Sequence, residues 1–253
     1  MRFASLGSGS RGNCLLVESG STRILIDAGF GPRETKRRLE RLGVGVADIN
    51  AVLITHEHSD HIGGAYACGS RFDWKVLMTA GTCSASRQGA ADVSVRLFDS
   101  HQPFDFGDLS VQPYPVPHDA REPVQFVLGD GAVRLGVLTD AGHVTGHMVA
   151  MLDGCDALVL ECNHDFDMLA RGNYPQALKR RIAGAQGHMD NEAAGSLLDR
   201  IDRNKLRHVI AAHLSEQNNT PELARNALCR PLNCAPDWIG VASQDLGFDW
   251  RDL

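Results

Sequence analysis

The sequence predicts an α/β fold in which two β-sheets are flanked by outer helices. With 253 residues, 43% of them hydrophobic, the chain has enough apolar material for a large buried core. Short apolar runs typical of strands recur along it, separated by turn residues. Amphipathic helical patterns are interleaved with these runs, mainly in the second half. We therefore expect strand ends to deliver polar residues to one edge of the sheets.

The strands are predicted from their β-type apolar runs, and the first three are separated by Gly/Ser-rich turns. In chain order they are Arg2–Leu6, Asn13–Glu18, Thr22–Asp27, Ala51–Thr55, Lys75–Thr79, Val93–Phe98, Ser110–Val116, Val124–Leu128, Val133–Thr139, Ala157–Glu161 and His208–Ala212.

Three helices have recognisable boundaries. Residues 32–42 begin with a proline, which the first turn of a helix tolerates, and their charged face is expected to be in solvent. A second helix follows Asp190 and a third opens at Thr220-Pro221, both with N-cap residues. The apolar stripes of the second and third are Ala194, Leu197, Leu198 and Ile201, and Leu223, Ala224, Ala227 and Leu228.

The composition predicts where in the cell the protein is located and whether its cysteines form disulfides. The N-terminus has no apolar run typical of a secretory signal, and no stretch of about 20 apolar residues could span a bilayer. The seven cysteines form no C-x-x-C pair, so buried free thiols are favoured over disulfides or a thiolate zinc site. We expect a single-domain cytoplasmic protein of residues 1–253 that does not contact membranes.

The net charge of −6 argues against general polyanion binding, but the charge is unevenly distributed. Residues 92–167 hold 13 acidic against three basic side chains, which leaves both flanks slightly basic. Basic residues cluster within 33–41, 179–181 and 200–207. Such runs are commonly solvated helix faces, and the alternative is that they follow a phosphate backbone.

Residues 7–12 match G-x-G-x-x-G after a strand, and Asp27 lies at a plausible distance for a ribose-binding acid. A dinucleotide site also needs a helix directly after the glycines to face the pyrophosphate. Here the following residues, Asn13 to Glu18, are typical of a strand. The motif is therefore interpreted as a tight β-turn, with a turn that lines the substrate cleft as the alternative.

A dense group of metal-ligating residue types follows the predicted strand Ala51–Thr55. It reads His56-Glu57-His58-Ser59-Asp60-His61. Alternate residues of an extended chain point the same way, so His56 and His58 can converge on one cation while Asp60 and His61 address a second.

Two divalent ions need further ligands, and other predicted strand ends supply them. His118, Asp140 and His213 each follow such a strand. A lone histidine at a strand end is commonly structural, but the 56–61 array makes a shared metal site the better interpretation. Imidazole and carboxylate ligands accept zinc, manganese or iron.

In order and spacing these residues resemble the five motifs of the metallo-β-lactamase superfamily, a match that spans nearly the whole chain. The resemblance implies an αββα sandwich of two mixed sheets flanked by helices, with the site at one edge between the sheets. By this resemblance one metal takes His56, His58 and His118, and the other takes Asp60, His61 and His213. Asp140 would bridge the two, and Asp27 would orient the array from behind.

Several departures argue against particular subgroups of that superfamily. True β-lactamases typically have Cys where this chain has Asp140 and are exported. Hydroxyacylglutathione hydrolases add a C-terminal helical domain, and the β-CASP nucleases and tRNase Z carry insertions for which this chain has no room. Five segments are similar to the YycJ-like group of small bacterial phosphodiesterases, which is linked to 5′ to 3′ exonuclease activity on DNA. These segments are residues 6–14, 55–61, 161–165, 187–194 and 213–219.

The expected mechanism uses a hydroxide that bridges the metals as the nucleophile on a phosphodiester. Asp60 would hold it in line. His188 would protonate the leaving oxygen with Glu161 orienting its ring, as a similar pair does in tRNase Z; alternatively Glu161 is a strand-end cap and His188 a helix-start residue. Asn163, His164 and Asn218 are candidate phosphate contacts, with loop hydrogen bonding as the alternative.

The predicted function is a dinuclear-metal-dependent phosphodiesterase, with DNA as the expected substrate. The alternative is a hydrolase of a small cyclic phosphodiester or a thioester, whose turnover would depend far less on salt. A metal-bound sensor or scaffold without catalysis would need a blocked water position, and the sequence shows no sign of one. Oligomeric state is not predicted.

Overall fold

The computed structural model describes residues 1–86 and 93–253, and within them the strands form two seven-stranded sheets. The strands are β1 (Arg2–Gly7), β2 (Cys14–Ser19), β3 (Thr22–Ile26), β4 (Ala51–Leu53), β5 (Lys75–Thr79), β6 (Val95–Phe98), β7 (Phe104–Phe106), β8 (Leu109–Pro115), β9 (Val124–Gly129), β10 (Arg134–Leu138), β11 (Ala157–Glu161), β12 (His208–Ala212), β13 (Gly240–Val241) and β14 (Phe248–Asp252).

Helices connect and cover these strands. They are α1 (Pro32–Arg41), α2 (Ser59–Ile62), α3 (Ala65–Phe72), α4 (Ala80–Ala85), α5 (Gly146–Leu152), α6 (Phe166–Arg171), α7 (Gln176–Ile182), α8 (Asn191–Leu198) and α9 (Pro221–Leu232). None of the helices in the described ranges is long and apolar enough to cross a membrane.

The sheets share a mixed topology. The first has the order β14-β1-β2-β3-β4-β5-β6 and the second β13-β12-β11-β10-β9-β8-β7. Strands β3 to β6 are parallel, as are β10 to β13, while the remaining pairs are antiparallel. The predicted class, two mixed sheets flanked by helices, is confirmed.

The layers follow from the alternation of side chains along each strand. In β12, Ile210 faces the core between the sheets, whereas Val209 and Ala211 face the outer helices. In β3, Ile24 and Ile26 likewise face the other sheet, whereas Leu25 packs toward α1 and α3. Both faces of these strands are buried, which explains why they read as continuous apolar runs.

The predicted helices form, with two corrections. The α8 helix ends at Leu198, so Ile201 lies beyond it although its side chain is buried. The charged face of α1 is not wholly in solvent, because Arg38 is only 7% exposed. Its guanidinium donates to Glu34 and to two backbone carbonyl oxygens and lies 4.1 Å from the Phe30 ring centroid, so its burial is compensated.

The fold brings the ends of parallel strands to one edge between the sheets. Asp27 follows β3, the 56–61 array follows β4, Asp140 follows β10 and His213 follows β12. Because parallel strands end at the same side of a sheet, residues far apart in sequence meet there.

Gly29 permits a close backbone contact behind the array. A Cβ at this position would lie 2.0 Å from the Asp60 carbonyl oxygen. We expect Gly29→Ala to lower the free energy of unfolding by about 1–3 kcal/mol, because backbone must shift to admit the methyl group. Urea unfolding measures this. Gly31→Ala is the control, since apart from the adjacent residues no atom of the described part of the chain lies within 4 Å of a Cβ there. Equal losses in both variants would contradict the contact.

Candidate metal centre

The array adopts a strand-end turn that leads into the short helix α2. His56 lies in the loop after β4, and His58 takes an extended conformation at the N-cap of α2, whose first turns contain Asp60 and His61. The change from extended to helical backbone separates the array into two pairs. The pairs face different neighbours.

The first pair meets His118. The Nδ1 atom of His58 lies 3.0 Å from Nε2 of His56 and 3.1 Å from Nε2 of His118. His118 is fixed from behind, because its Nδ1 donates to the carbonyl oxygen of Gly187 at 2.9 Å. Three imidazole nitrogens thus converge on one point.

The second pair meets His213. The Oδ2 atom of Asp60 lies 3.3 Å from Nε2 of His61 and 3.3 Å from Nε2 of His213. These three residues form a second group of potential ligand atoms within 4.8 Å of one another. The two groups contain the residues that the sequence resemblance implies as two ligand sets, and metal binding by them stays a prediction.

Asp140 lies between the two groups. Its Oδ2 is 3.0 Å from Nε2 of His61, and its Oδ1 is 3.9 Å from Nε2 of His118. Oδ2 is buried without a hydrogen-bond partner among the described residues. A buried carboxylate oxygen without a donor, beside imidazole nitrogens that face each other, is the donor arrangement that cations satisfy. The residues therefore fit divalent metal ions.

Three residues at this edge of the two sheets have a strained backbone conformation. Asp27, Asp140 and His213 are non-glycine residues with φ of 63°, 53° and 55°. Left-handed conformations are unfavourable for residues with a Cβ, and they concentrate at functional sites held by surrounding structure. Each of these residues lies within two positions of the end of a strand with a parallel neighbour, and each side chain contacts a histidine or aspartate of the candidate metal centre.

Asp27 supports the array from behind. Its carboxylate accepts hydrogen bonds from the backbone N–H and hydroxyl of Thr55 and lies 2.7 Å from Nδ1 of His61. Burial favours the neutral ring of His61, but the Asp140, Asp27 and Asp60 carboxylates raise its pKa well above the usual value. The structure therefore places Asp27 where a residue that orients a metal-ligating histidine would lie.

We expect Asp27→Asn to weaken metal affinity by about 10–100-fold, because an amide cannot accept from both Thr55 and His61 in the same way. Competition with a chromogenic chelator measures the affinity. The control is Asp73→Asn, which changes an exposed aspartate that also has a positive φ. Unchanged affinity in Asp27→Asn would remove Asp27 from the metal centre.

Glu161 and His188 form a hydrogen-bonded pair beside Asp140. Nδ1 of His188 lies 2.8 Å from Oε1 of Glu161 and 3.2 Å from Oδ1 of Asp140. Although burial favours the neutral ring, the two carboxylates raise the pKa of His188 to about 10. Oε2 of Glu161 accepts from the backbone N–H groups of Ala141 and Met189. Glu161 therefore acts also as the strand-end cap that the sequence left as an alternative.

The three candidate phosphate contacts are buried. The amide of Asn163 donates to the carbonyl oxygen of His213 at 3.1 Å, and that of Asn218 donates to the Ser215 hydroxyl at 3.3 Å. His164 is 2% exposed, and its Nδ1 has no partner in the described part of the chain. The two asparagines therefore make loop hydrogen bonds, which the sequence analysis gave as the alternative to phosphate contact. Contact with substrate stays a prediction for all three residues.

Sequence reasoning missed the contacts that Ser8 and Asn13 make with the candidate metal ligands. Nδ2 of Asn13 lies 3.1 Å from Nε2 of His61 and 3.3 Å from Oδ2 of Asp60, and the Ser8 hydroxyl accepts from the backbone N–H of His213 at 2.9 Å. The strand after the turn confirms that this is not a dinucleotide motif. The similarity of residues 6–14 to the YycJ-like group was the available signal.

The site opens into a cleft of about 430 Å³. The candidate site residues that line it are His58, Asp60, Asp140, His188 and His213. Tyr174, Ser10 of the glycine-rich turn and three residues of α7 (Leu178, Arg181 and Ile182) line it as well. The turn thus lines the cleft, which was the second interpretation of the motif.

Comparison with known proteins agrees with this fold and site. The family model described as the β-lactamase superfamily domain matches residues 22–213. The chain therefore belongs to the metallo-β-lactamase superfamily, and it is a metal-dependent hydrolase of that class.

Two bacterial relatives identify the group within the superfamily. Exodeoxyribonuclease YycJ of Bacillus anthracis is 34% identical over 96% of this chain and 93% of its own length. Exodeoxyribonuclease WalJ of Streptococcus pneumoniae (strain D39) is 32% identical over 95% of this chain and 91% of its own length. The resemblance to the YycJ-like group is thereby confirmed.

Solved structures confirm the fold. The metallo-β-lactamase fold protein YhfI from Bacillus subtilis superposes with a TM-score of 0.76 at 16% identity, covering 99% of this chain and 98% of its own. Zinc-bound PqqB from Methylobacterium extorquens superposes with a TM-score of 0.75 at 21% identity, covering both chains fully.

Proposed function

We propose that the protein is a dinuclear-metal-dependent phosphodiesterase that acts on DNA as a 5′ to 3′ exonuclease. The observation that carries the proposal is the pair of ligand groups, His56/His58/His118 and Asp60/His61/His213, with Asp140 between them at the floor of an open cleft. The near full-length similarity to two exodeoxyribonucleases supports DNA as the substrate.

When bound, two divalent ions such as zinc, manganese or iron supply a hydroxide nucleophile at neutral pH and neutralise charge on a phosphoryl group. The protein's own residues position the reactants. Asp60 lies at the cleft floor with one oxygen toward His61 and His213, where it holds the nucleophile in line. Arg181 and its neighbours on α7 line the same cleft and confine the substrate.

His188 supplies the proton for the leaving oxygen. Glu161 binds Nδ1 of its ring, which leaves Nε2 as the nitrogen available to a substrate, and the ring lines the cleft. Because Glu161 is itself fixed by two backbone N–H groups, the imidazole is held in one orientation.

The direct test is cleavage of DNA labelled at the 5′ or the 3′ end, with zinc or manganese and with chelator. Chelator-sensitive release of nucleotides from the 5′ end is the expected result. Metal-loaded protein that leaves DNA intact but hydrolyses a small phosphodiester or thioester would overturn the nuclease proposal, and release from the 3′ end would overturn the polarity.

A further inference from the structure

We infer that a second binding subsite lies beside the metal cleft and holds the phosphate backbone of a nucleic-acid strand through Arg180, Arg181 and His143. A separate depression of about 560 Å³ adjoins the cleft there, and Asp119, Arg181 and Gly187 line both. The inference rests on the proposed function, since a substrate confined to the first cleft would not reach it.

The chemistry of this depression suits a polyanion. Arg180 is exposed, and the side chain of Arg181 is 60% exposed although its Nε donates to Asp119 at 2.6 Å. His143 is exposed as well, and its Nδ1 donates to the carbonyl oxygen of Ala185 at 2.9 Å, which leaves Nε2 toward the depression. Arginine forks with a neighbouring imidazole recognise phosphate oxygens without reading bases.

The loop that forms the depression is tightly seated. Gly142 packs against residue 185 so closely that a Cβ would lie 2.4 Å from the Ala185 backbone. The backbone N–H of Asp119 donates to the carbonyl oxygen of Gln186 at 2.9 Å. The two arginines of α7 are therefore held at a fixed position relative to the His118 strand end, as a preformed subsite requires.

The other two basic runs are differently placed. In the α1 run, Lys36, Arg37 and Arg38 pair with Glu34 or Glu40 of the same helix, and the described residues of this run line neither the metal cleft nor the adjoining depression. The 200–207 run precedes β12, whereas His213 follows β12, so the two are at opposite ends of a five-residue strand. A strand of that length separates them by about 16 Å. Among the described residues of the three runs, Arg181 lines the metal cleft, and its neighbour Arg180 lines the adjoining depression.

The subsite implies a preference for polymers. A small phosphodiester fits within the cleft over the metal centre, but a strand that continues past the reacting bond gains contacts with Arg180, Arg181 and His143. Removing one such contact should weaken strand binding independently of base sequence and reduce its salt dependence.

The test compares Arg180→Glu with Arg200→Glu, a matched charge reversal at an exposed arginine beyond the end of α8. Fluorescence anisotropy would measure binding of a cleavage-resistant phosphorothioate single strand to metal-loaded protein across salt concentrations. Arg180→Glu should weaken binding about tenfold and lower the slope of log affinity against log salt by about 1. It should also lower the ratio of kcat/KM for DNA to that for bis(p-nitrophenyl) phosphate. Arg200→Glu should change none of these.

Equal behaviour of the two variants would overturn the subsite while leaving the nuclease proposal intact. Failure of the wild-type protein to bind or cleave any nucleic acid, with bis(p-nitrophenyl) phosphate still hydrolysed, would overturn the proposed function itself. The two failures are therefore distinguishable.

Discussion

His58→Ala should abolish metal-dependent hydrolysis, with a loss of about 1000-fold or more in kcat/KM. Nδ1 of His58 lies close to Nε2 of both His56 and His118, so these three nitrogens would hold one cation. Without one of its three ligands, that cation would no longer stabilise the charge on the reacting group by several kcal/mol. The side chain is 29% exposed, so its removal leaves the buried core packed. Metal content by mass spectrometry and turnover on a small phosphodiester measure the two effects.

A surface histidine provides the control for this substitution. The side chain of His101 is 68% exposed and lies outside both ligand groups. His101→Ala should retain full metal content and activity. If His58→Ala also retained full metal content and activity, the assignment of His56, His58 and His118 as metal ligands would be wrong. That conclusion would hold whatever the substrate is.

His188→Ala should retain the metals and slow turnover by about 100-fold or more, because it removes the proposed proton donor for the leaving oxygen. The structure makes metal analysis essential here, since Asp140, Glu161, His188 and His213 also lie close enough to form a ligand group. A substrate whose leaving group needs no proton, such as a nitrophenolate ester, should be much less affected than DNA.

Three possible results of this experiment distinguish the roles that His188 could have. Retained metal with a selective loss on DNA supports the proton donor. Loss of metal together with loss of activity on both substrates would instead identify a ligand, and Glu161 would then support a metal rather than a general acid. Unchanged turnover on DNA would exclude His188 from the mechanism.

The strands were predictable because their physical cause is local. Runs such as Ala157–Glu161 and His208–Ala212 are apolar on both faces, since each strand lies between another sheet and a helix layer. The sequence did not predict the helices α3, α5 and α6 or the strands β13 and β14. These helices have six to eight residues, too few for a clear period, and β13 and β14 are determined by pairing with distant strands.

The candidate site was predictable to the extent that its residue types are rare. The 56–61 array stands out in sequence, and the structure brings His118, Asp140 and His213 to it. Asn13 was missed because an asparagine after a glycine-rich turn has an ordinary local explanation, and its contacts with Asp60 and His61 span 47 and 48 residues.

The glycine-rich turn also connects the N-terminal part of the candidate site to a residue near the other end of the chain. The backbone around Arg11 and Gly12 is hydrogen-bonded to the side chain of Gln244, more than 230 residues away. Such long-range pairing is slow to form, because loop closure precedes any compensating contact. A chain that ends before Gln244 would lack these two hydrogen bonds to the turn, although it would contain all seven candidate metal ligands. The same turn leads into Asn13, whose Nδ2 lies 3.1 Å from Nε2 of His61, so the far end of the chain helps to hold the site together.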